Sequence, residues 1–420
     1  MSEHLDPAEN ASRVVAPPLT SKRPRYSHMA IIFLARTVLN TAQRIIYPFL
    51  PSIARGLDIS LAAASGLVTL RMVGGLAAPL FGPLTDRQGR RRSMELGLLL
   101  FTLASLFLVG SGSMATATLI VAAAAFLLYG LSKVLYDPAV HGYLGDVVPY
   151  RARGRAIGII EFSWSSAWLI GVPISGFLID RFGWRAPWLV LIVLGLASLG
   201  LTHAFLPPSR PPTETAYPQR VIALLASSWR NLLCRRQVVV LLLVSMFLTM
   251  ALEVPFIVYG AWLETSFGLS LSTLGVASIV VGLAEACAEL GTTLWTDRLG
   301  KRLSVLAGLS GLALSLLLLP WLAGLGLITA LAGIALVILT FEFAIVSLLP
   351  LVTELAPSER SSLLSLNVTA FSLGRIIGAG LGGWLWQQSA QGIGFHAAVG
   401  AACAFLAALL MFWGMSEIEA

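Results

Sequence analysis

Charged residues are scarce in this sequence. Asp, Glu, Lys and Arg together make up 12% of the 420 residues, whereas they make up about 25% of a typical soluble protein. Hydrophobic residues reach 57%, and the mean hydropathy is +0.83. So few charges cannot cover a water-exposed surface. The composition therefore excludes a soluble globular protein and predicts an integral protein of the lipid bilayer.

Cysteine is also scarce. The three cysteines, Cys234, Cys287 and Cys403, lie far apart in the chain, which argues against both a metal-ligand cluster and a disulfide framework. We therefore expect no metal and no bound cofactor. The polar segment before His28 has no short apolar stretch followed by a small-residue cleavage site, so the first apolar run is predicted to be an uncleaved anchor.

Long apolar runs are abundant, and many are close to the length of about 20 residues that a helix needs to cross the hydrocarbon. Six runs occur in each half of the chain, which predicts an all-α membrane protein with twelve transmembrane helices. The predicted spans are 29–50, 60–82, 93–110, 117–145, 155–179, 187–206, 237–263, 272–296, 303–320, 327–350, 361–386 and 393–415.

The chain divides near its middle, where the run Pro207-Pro-Ser-Arg-Pro-Pro212 interrupts the apolar pattern and cannot continue a helix. We predict two six-helix bundles joined by a linker. The predicted segments are a cytoplasmic tail (1–28), the N-terminal bundle (29–206), a cytoplasmic linker (207–236), the C-terminal bundle (237–416) and a cytoplasmic end (417–420).

A charged turn occurs twice and reveals an internal repeat. One copy surrounds Asp86 and the other surrounds Asp297, 211 residues later. The loop at Asp146 recurs at Glu354, and the row of small residues that contains Gly171 recurs at Gly378, with nearly the same offset. These matches predict two structurally similar halves.

The net charge is +7, and its distribution predicts the orientation of the chain. If both termini are cytoplasmic, most of the 28 Lys and Arg residues fall on the cytoplasmic side, and only Arg55, Arg181 and Arg185 fall on the opposite side. This asymmetry follows the positive-inside rule. Nucleic-acid binding is then not needed to explain the positive charge.

Eleven charged side chains lie inside the predicted spans, where each would cost about 2.5 to 3.5 kcal/mol if it faced lipid. All belong to the first, second, fourth or fifth span of a half. We therefore expect these helices to surround a polar centre, an arrangement typical of secondary transporters. The residues are Arg36, Arg44, Arg71, Lys133, Asp137, Glu161, Glu253, Glu285, Glu289, Glu342 and Arg375.

The stretch Gly82-Pro-Leu-Thr-Asp-Arg-Gln-Gly-Arg90 resembles the motif Gly-x-Leu-x-Asp-Arg-x-Gly-Arg of the major facilitator superfamily. The copy at Asp297 has Thr293 in place of the leading glycine. The fourth and fifth spans resemble the drug:proton antiporter branch, although Phe126 stands where many antiporters have arginine and Val172 separates Gly171 from Pro173.

The resemblance covers about 29–415 and implies two six-helix bundles that work by alternating access. It also implies a cytoplasmic latch that stabilises the outward-facing state; topology alone is a sufficient reason for the other arginines of the turn. The latch residues are Gly82, Asp86, Arg87, Gly89, Arg90, Asp297 and Arg298.

Five carboxylates are candidates for proton coupling, because ionisable groups inside membrane spans commonly form proton pathways. The alternative is a structural ion pair, such as Lys133 with Asp137 or Glu161 with an arginine. We expect the proton gradient, and no cofactor, to drive transport. The candidates are Asp137, Glu253, Glu285, Glu289 and Glu342.

A second group is predicted to surround the substrate. Lys133 and Arg36 suit an anion, whereas the two tryptophans either line the cavity or pack between helices. Asp137 and His141 are four residues apart and are expected to form a hydrogen-bonded pair rather than a metal site. The candidates are Arg36, Asn40, Lys133, His141, Trp164, Trp168 and Arg375.

Small residues recur at four-residue spacing in the fifth span of each half, which lets helix backbones approach closely. We predict that these positions are packing surfaces. They include Gly171, Gly176, Gly374, Gly378 and Gly382.

The sequence thus predicts a transporter for a small molecule, and we expect proton-coupled export of a hydrophobic or drug-like compound. One alternative is uptake of a metabolite, including an anionic one, through Lys133, Arg36 and Arg375. A membrane-embedded enzyme is a more distant alternative, since only Asp137 and His141 approach a catalytic constellation. We expect a monomer in a bacterial inner membrane, with both termini cytoplasmic and no nucleic-acid partner.

Overall fold

The computed structural model describes residues 26–76, 88–111, 115–208, 228–356, 359–388 and 392–415. Within these ranges the regular structure is entirely helical. Eleven helices are long and apolar enough to cross a membrane, and a shorter apolar helix covers Leu61–Leu76. Residues 77–82 of the predicted second span lie outside the described residues. The prediction of an all-α membrane protein is confirmed.

The helices are numbered by the membrane span to which they belong, and three spans consist of several segments. The bounds are α1 Tyr26–Leu57, α2 Leu61–Leu76, α3 Arg90–Gly110, α4 Ala115–Val147, α5 (Tyr150–Glu161, Ser163–Ser166, Ala167–Gly171 and Val172–Phe182), α6 Ala186–Phe205, α7 (Arg236–Phe256 and Tyr259–Phe267), α8 (Leu271–Ala277 and Ile279–Leu299), α9 Lys301–Gly324, α10 Leu327–Leu355, α11 Arg360–Gln388 and α12 Ile393–Gly414.

The repeat is visible where α3 and α9 begin. Gly89 and Gly300 precede these helices with φ values of 86° and 84°, a backbone conformation that glycine adopts without a steric penalty. The hydroxyl of Ser93 donates to the carbonyl of Gly89 at 3.2 Å, and Ser304 donates to Gly300 at 2.9 Å. The same local structure therefore starts the third helix of each half.

The two halves meet at the end of the bundle that contains Arg55. The Arg55 guanidinium lies 2.9 Å from a carboxylate oxygen of Glu264 in α7. The hydroxyl of Ser272 in α8 donates to Asp180 of α5 at 2.7 Å. At this end the halves are therefore joined by polar contacts between α1 and α7 and between α5 and α8.

The predicted packing glycines all lie directly against another helix. A Cβ at Gly378 would lie 2.7 Å from the Cβ of Glu253, a distance that real Cβ atoms do not adopt, and a Cβ at Gly176 would lie 2.6 Å from the carbonyl oxygen of Leu271. Gly171 lies against Thr41, Gly374 against Met246, and Gly382 against Val254.

Candidate functional site

A cavity of about 500 Å³ lies between the two halves. Its lining residues come from α1 and α5 of the N-terminal half and from α7, α8, α10 and α11 of the C-terminal half. Among the described residues, the third and sixth helix of each half contribute nothing to the lining. The charged lining residues are Arg44, Glu161, Glu253, Glu285, Glu289, Glu342 and Arg375.

Helix α1 connects the two halves at the depth of this cavity. Arg44 and Tyr47 are three residues apart and share one face of α1. Arg44 forms an ion pair with Glu285 of α8, and the Tyr47 hydroxyl donates to Glu253 of α7 at 3.1 Å. One polar face of α1 therefore docks onto two carboxylates of the other half.

Four of the five proton-coupling candidates converge at this docking point. Glu253 and Glu285 are buried, each 3% exposed, and Glu342 interacts directly with Glu285. Glu289 lies one helical turn beyond Glu285 in α8 and lines the same cavity. The arrangement brings together carboxylates that are far apart in the sequence, because α7, α8 and α10 all border the cavity.

The fifth candidate, Asp137, belongs to a separate ion-pair network in the N-terminal half. Arg36 lies 3.3 Å from Asp137 and 2.8 Å from Glu161. Lys133 lies 2.8 Å from Asp137 and donates to the side chain of Asn40 at 2.6 Å. Two cations and two carboxylates thus neutralise one another within a single half.

His141 does not pair with Asp137, so that prediction is wrong. Its Nε2 lies 2.9 Å from Glu161 of α5. Asp137 is paired with Lys133 on its own helix and with Arg36 from α1, whereas His141 lies one turn further along α4, opposite Glu161 of α5. Asp137 and His141 therefore do not form the acid–base pair that an enzyme would need.

The two tryptophans of α5 differ in their surroundings. Trp164 lines the cavity, with Lys133 Nζ 4.2 Å and the Arg44 guanidinium carbon 4.7 Å from its ring centroid. Trp168 is fully buried and packs against Phe256 with ring centroids 5.9 Å apart. A π-helical turn at Ala167–Gly171 separates the exposed start of α5 from its packed end, a deviation often found at functional sites.

Only part of the predicted latch can be located. Gly82, Asp86 and Arg87 lie outside the described residues, as does the side chain of Asp297, while Arg298 is exposed. Arg90 lies 3.6 Å from Asp146 in its own half, and Lys301 and Glu354 form the equivalent ion pair in the other half. The latch between the halves stays a prediction.

Arg44 and Tyr47 both line the cavity, although neither was among the site residues predicted from the sequence. The available signal was their position on α1, where Arg36, Asn40, Arg44 and Tyr47 recur at helical spacing. Within the part of the chain that the structure describes, no group of three or more His, Cys, Asp or Glu side chains is arranged to hold a metal ion.

The fold and the cavity define a multi-pass membrane transporter in which two similar halves enclose a central polar site. The model of the Major Facilitator Superfamily matches residues 32–259 and 241–417, and the chain belongs to this family. It is accordingly a transporter of the alternating-access type and not an enzyme.

Relatives and solved structures agree with this assignment. The chain is 26% identical to the MFS-type transporter YceJ of Bacillus subtilis (strain 168) over 360 residues, covering 86% of this chain and 89% of YceJ. It is 27% identical to the tetracycline resistance protein, class C, of Escherichia coli over 307 residues, covering 70% and 74%. The inward-open structure of the xylose transporter XylE from E. coli shares the fold, with a TM-score of 0.72 at 17% identity over 94% of this chain and 97% of XylE.

Proposed function

We propose that this transporter exports a small hydrophobic, drug-like compound that carries a positive charge, in exchange for protons. The observation that supports this most directly is the charge of the cavity. Glu253, Glu285, Glu289 and Glu342 line it from the C-terminal half, against Arg44 and Arg375. Ionised carboxylates in excess over cations are costly away from water, so this site favours occupation by protons or by a cationic compound.

The remaining lining suits a hydrophobic body on that cation. Phe256, Phe341 and Trp164 contribute aromatic surface, and Leu252 and Ile338 contribute aliphatic surface. Sites for small molecules are commonly apolar with a few polar groups that fix orientation, and aromatic faces attract cations. The name of one relative, a tetracycline resistance protein, is consistent with export.

The shape of the cavity supports a cytoplasm-facing state. Its lining continues to Gly158, Thr292 and Leu349, which lie near the helix ends that the positive-inside rule assigns to the cytoplasm. The contacts between Arg55 and Glu264 close the opposite end. We place both termini in the cytoplasm and the protein in a bacterial inner membrane as a monomer.

Uptake of an anionic metabolite is less well supported by these contacts. Arg36 and Lys133, the predicted anion ligands, are paired with Asp137 and Glu161, and neither lines the central cavity. Arg375 is the one predicted anion ligand among the described lining residues, and it interacts electrostatically with Glu253, Glu285 and Glu342. An anion at this site would therefore meet net negative charge.

The test is proton movement in proteoliposomes that contain a pH-sensitive dye. Lipophilic cations, neutral drugs and organic acids are added in turn to the wild type, to Glu285→Gln and to Glu342→Gln. We expect a pH change that depends on a cationic compound and falls at least about tenfold in both variants. Glu95→Gln, which lies outside the cavity and pairs with Arg91 within α3, is the control and should retain the signal. Flux without any proton movement would reject coupling and indicate a uniporter.

A further inference from the structure

The ion pair between Arg44 and Glu285 is incompletely satisfied. One guanidinium nitrogen of Arg44, Nη2, contacts one carboxylate oxygen of Glu285. The Arg44 Nε is buried and has no hydrogen-bond partner among the described residues, and the Glu285 carboxylate also interacts with Glu342. A buried polar atom without a partner costs free energy, so Arg44 is not fully satisfied in its position at the wall of the cavity.

The same arginine also covers an aromatic surface. Its guanidinium carbon lies 4.7 Å from the centroid of the Trp164 ring, within the range of a cation–π interaction. Trp164 and Glu285 both line the cavity and belong to opposite halves. Arg44 thus makes the two contacts that a hydrophobic cation would make at this site, one with a carboxylate and one with an aromatic face.

We propose that Arg44 is a tethered cation that occupies the place of the transported cation, and that a cationic compound binds by displacing Arg44 from Glu285 and Trp164. This inference rests on the proposed function. It identifies Arg44 as a specificity-determining residue, because a compound must carry its own positive charge to replace the one that it displaces. Since Arg44 joins the two halves, its displacement also removes a contact that holds them together.

The consequence is opposite to that of an ordinary binding residue. Removal of Arg44 eliminates a competitor, so a cationic ligand should bind more tightly to the variant than to the wild type. A residue that itself bound the cation would lower the affinity when it is removed.

The experiment is equilibrium binding of radiolabelled tetraphenylphosphonium to the full-length protein in lipid nanodiscs at pH 8. Tetraphenylborate, which has nearly the same size and shape but the opposite charge, is measured in parallel. We expect Arg44→Gln to bind the cation about tenfold more tightly than the wild type, because one competing charged contact with Glu285 is lost. The anion should not bind more tightly to this variant.

The matched control is Arg55→Gln, which removes the same type of side chain from another ion pair between the halves but lies outside the cavity. Its affinity for tetraphenylphosphonium should equal that of the wild type. Equal tightening in both variants would overturn the inference, because the cause would then be looser contact between the halves. Tighter binding of tetraphenylborate to Arg44→Gln would overturn it as well.

A second variant covers the case in which Arg44→Gln does not fold. Arg44→Lys keeps the charge but not the planar group that stacks on Trp164, so it should tighten cation binding by a smaller factor. Weaker or unchanged binding in whichever variant folds, or no cation binding to any form, would reject the tethered-cation role. Proton-linked flux in the proteoliposome assay is measured separately. The proposed function can therefore hold even if the tethered-cation role is rejected.

Discussion

The two halves share a fold but differ in the charges that they place inside the membrane. The N-terminal half has Arg36, Arg44, Arg71 and Lys133 within its spans against Asp137 and Glu161, whereas the C-terminal half has four glutamates against Arg375. Most charges of the first half neutralise one another in its own network. The glutamates of the second half instead face the cavity and the one arginine that reaches across from α1.

This difference indicates that the two halves have different roles although they share one fold. Structural features at the helix ends, such as the turns at Gly89 and Gly300, occur in both halves because both must begin their third helix in the same way. The charges at the centre are not repeated. The N-terminal half neutralises most of its charges internally, and under the proposed function the C-terminal half provides the groups that exchange protons and cations.

The largest difference between the two halves should appear when one carboxylate is neutralised in each of them. Glu342→Gln should reduce proton-linked flux at least about tenfold with no loss of stability, because it removes repulsion from neighbouring carboxylates. Asp137→Asn should instead lower stability while flux per folded molecule persists, since Lys133 and Arg36 lose their shared partner. Flux in liposomes and unfolding temperature in detergent measure the two effects, and equal losses of flux would contradict the difference in roles.

The next largest effect should come from removing the central cation of the N-terminal network. Arg36 is 2% exposed and contacts two carboxylates, so Arg36→Ala should cost about 3 kcal/mol of folding free energy. Arg55→Ala removes a largely exposed arginine from its ion pair and should cost less than about 1 kcal/mol. Thermal unfolding of the two variants side by side is the measurement. Similar losses would show that the network is not a structural core.

Helix packing predicts an intermediate effect within α11. Gly378→Leu would collide with Glu253, whereas Gly380 has open space around it. The first substitution should destabilise the protein by about 1 to 3 kcal/mol, and Gly380→Leu should be close to neutral. Unfolding temperatures of the pair provide the measurement, and equal behaviour would contradict the close approach of α7 and α11.

The smallest effect is expected where the halves are most alike. Arg90 with Asp146 and Lys301 with Glu354 are equivalent, partly exposed ion pairs, which typically contribute up to about 1 kcal/mol. Arg90→Gln and Lys301→Gln should therefore produce small and similar decreases in unfolding temperature. A large decrease in only one half would indicate an additional contact there, such as the predicted latch.

Most of the fold could be predicted from the sequence, because a membrane span must be long, apolar and internally hydrogen-bonded. Those constraints act locally, and they set α3 at Arg90–Gly110 close to the predicted 93–110. Pairing between charges was harder to predict. The Lys133 pair with Asp137 follows from four-residue spacing, but the partner of His141 depends on which helix lies opposite.

The sequence by itself determined the class of protein, the two repeated halves and the set of ionisable residues that cannot face lipid, since desolvating a charge is costly wherever the helices pack. Only the tertiary structure decided which of these residues pair with one another within the N-terminal half and which glutamates of the C-terminal half line the cavity. That sorting depends on contacts such as those between Arg44 and Glu285 and between Tyr47 and Glu253. The partners are more than 200 residues apart, and the relative positions of α1, α7 and α8 bring them together.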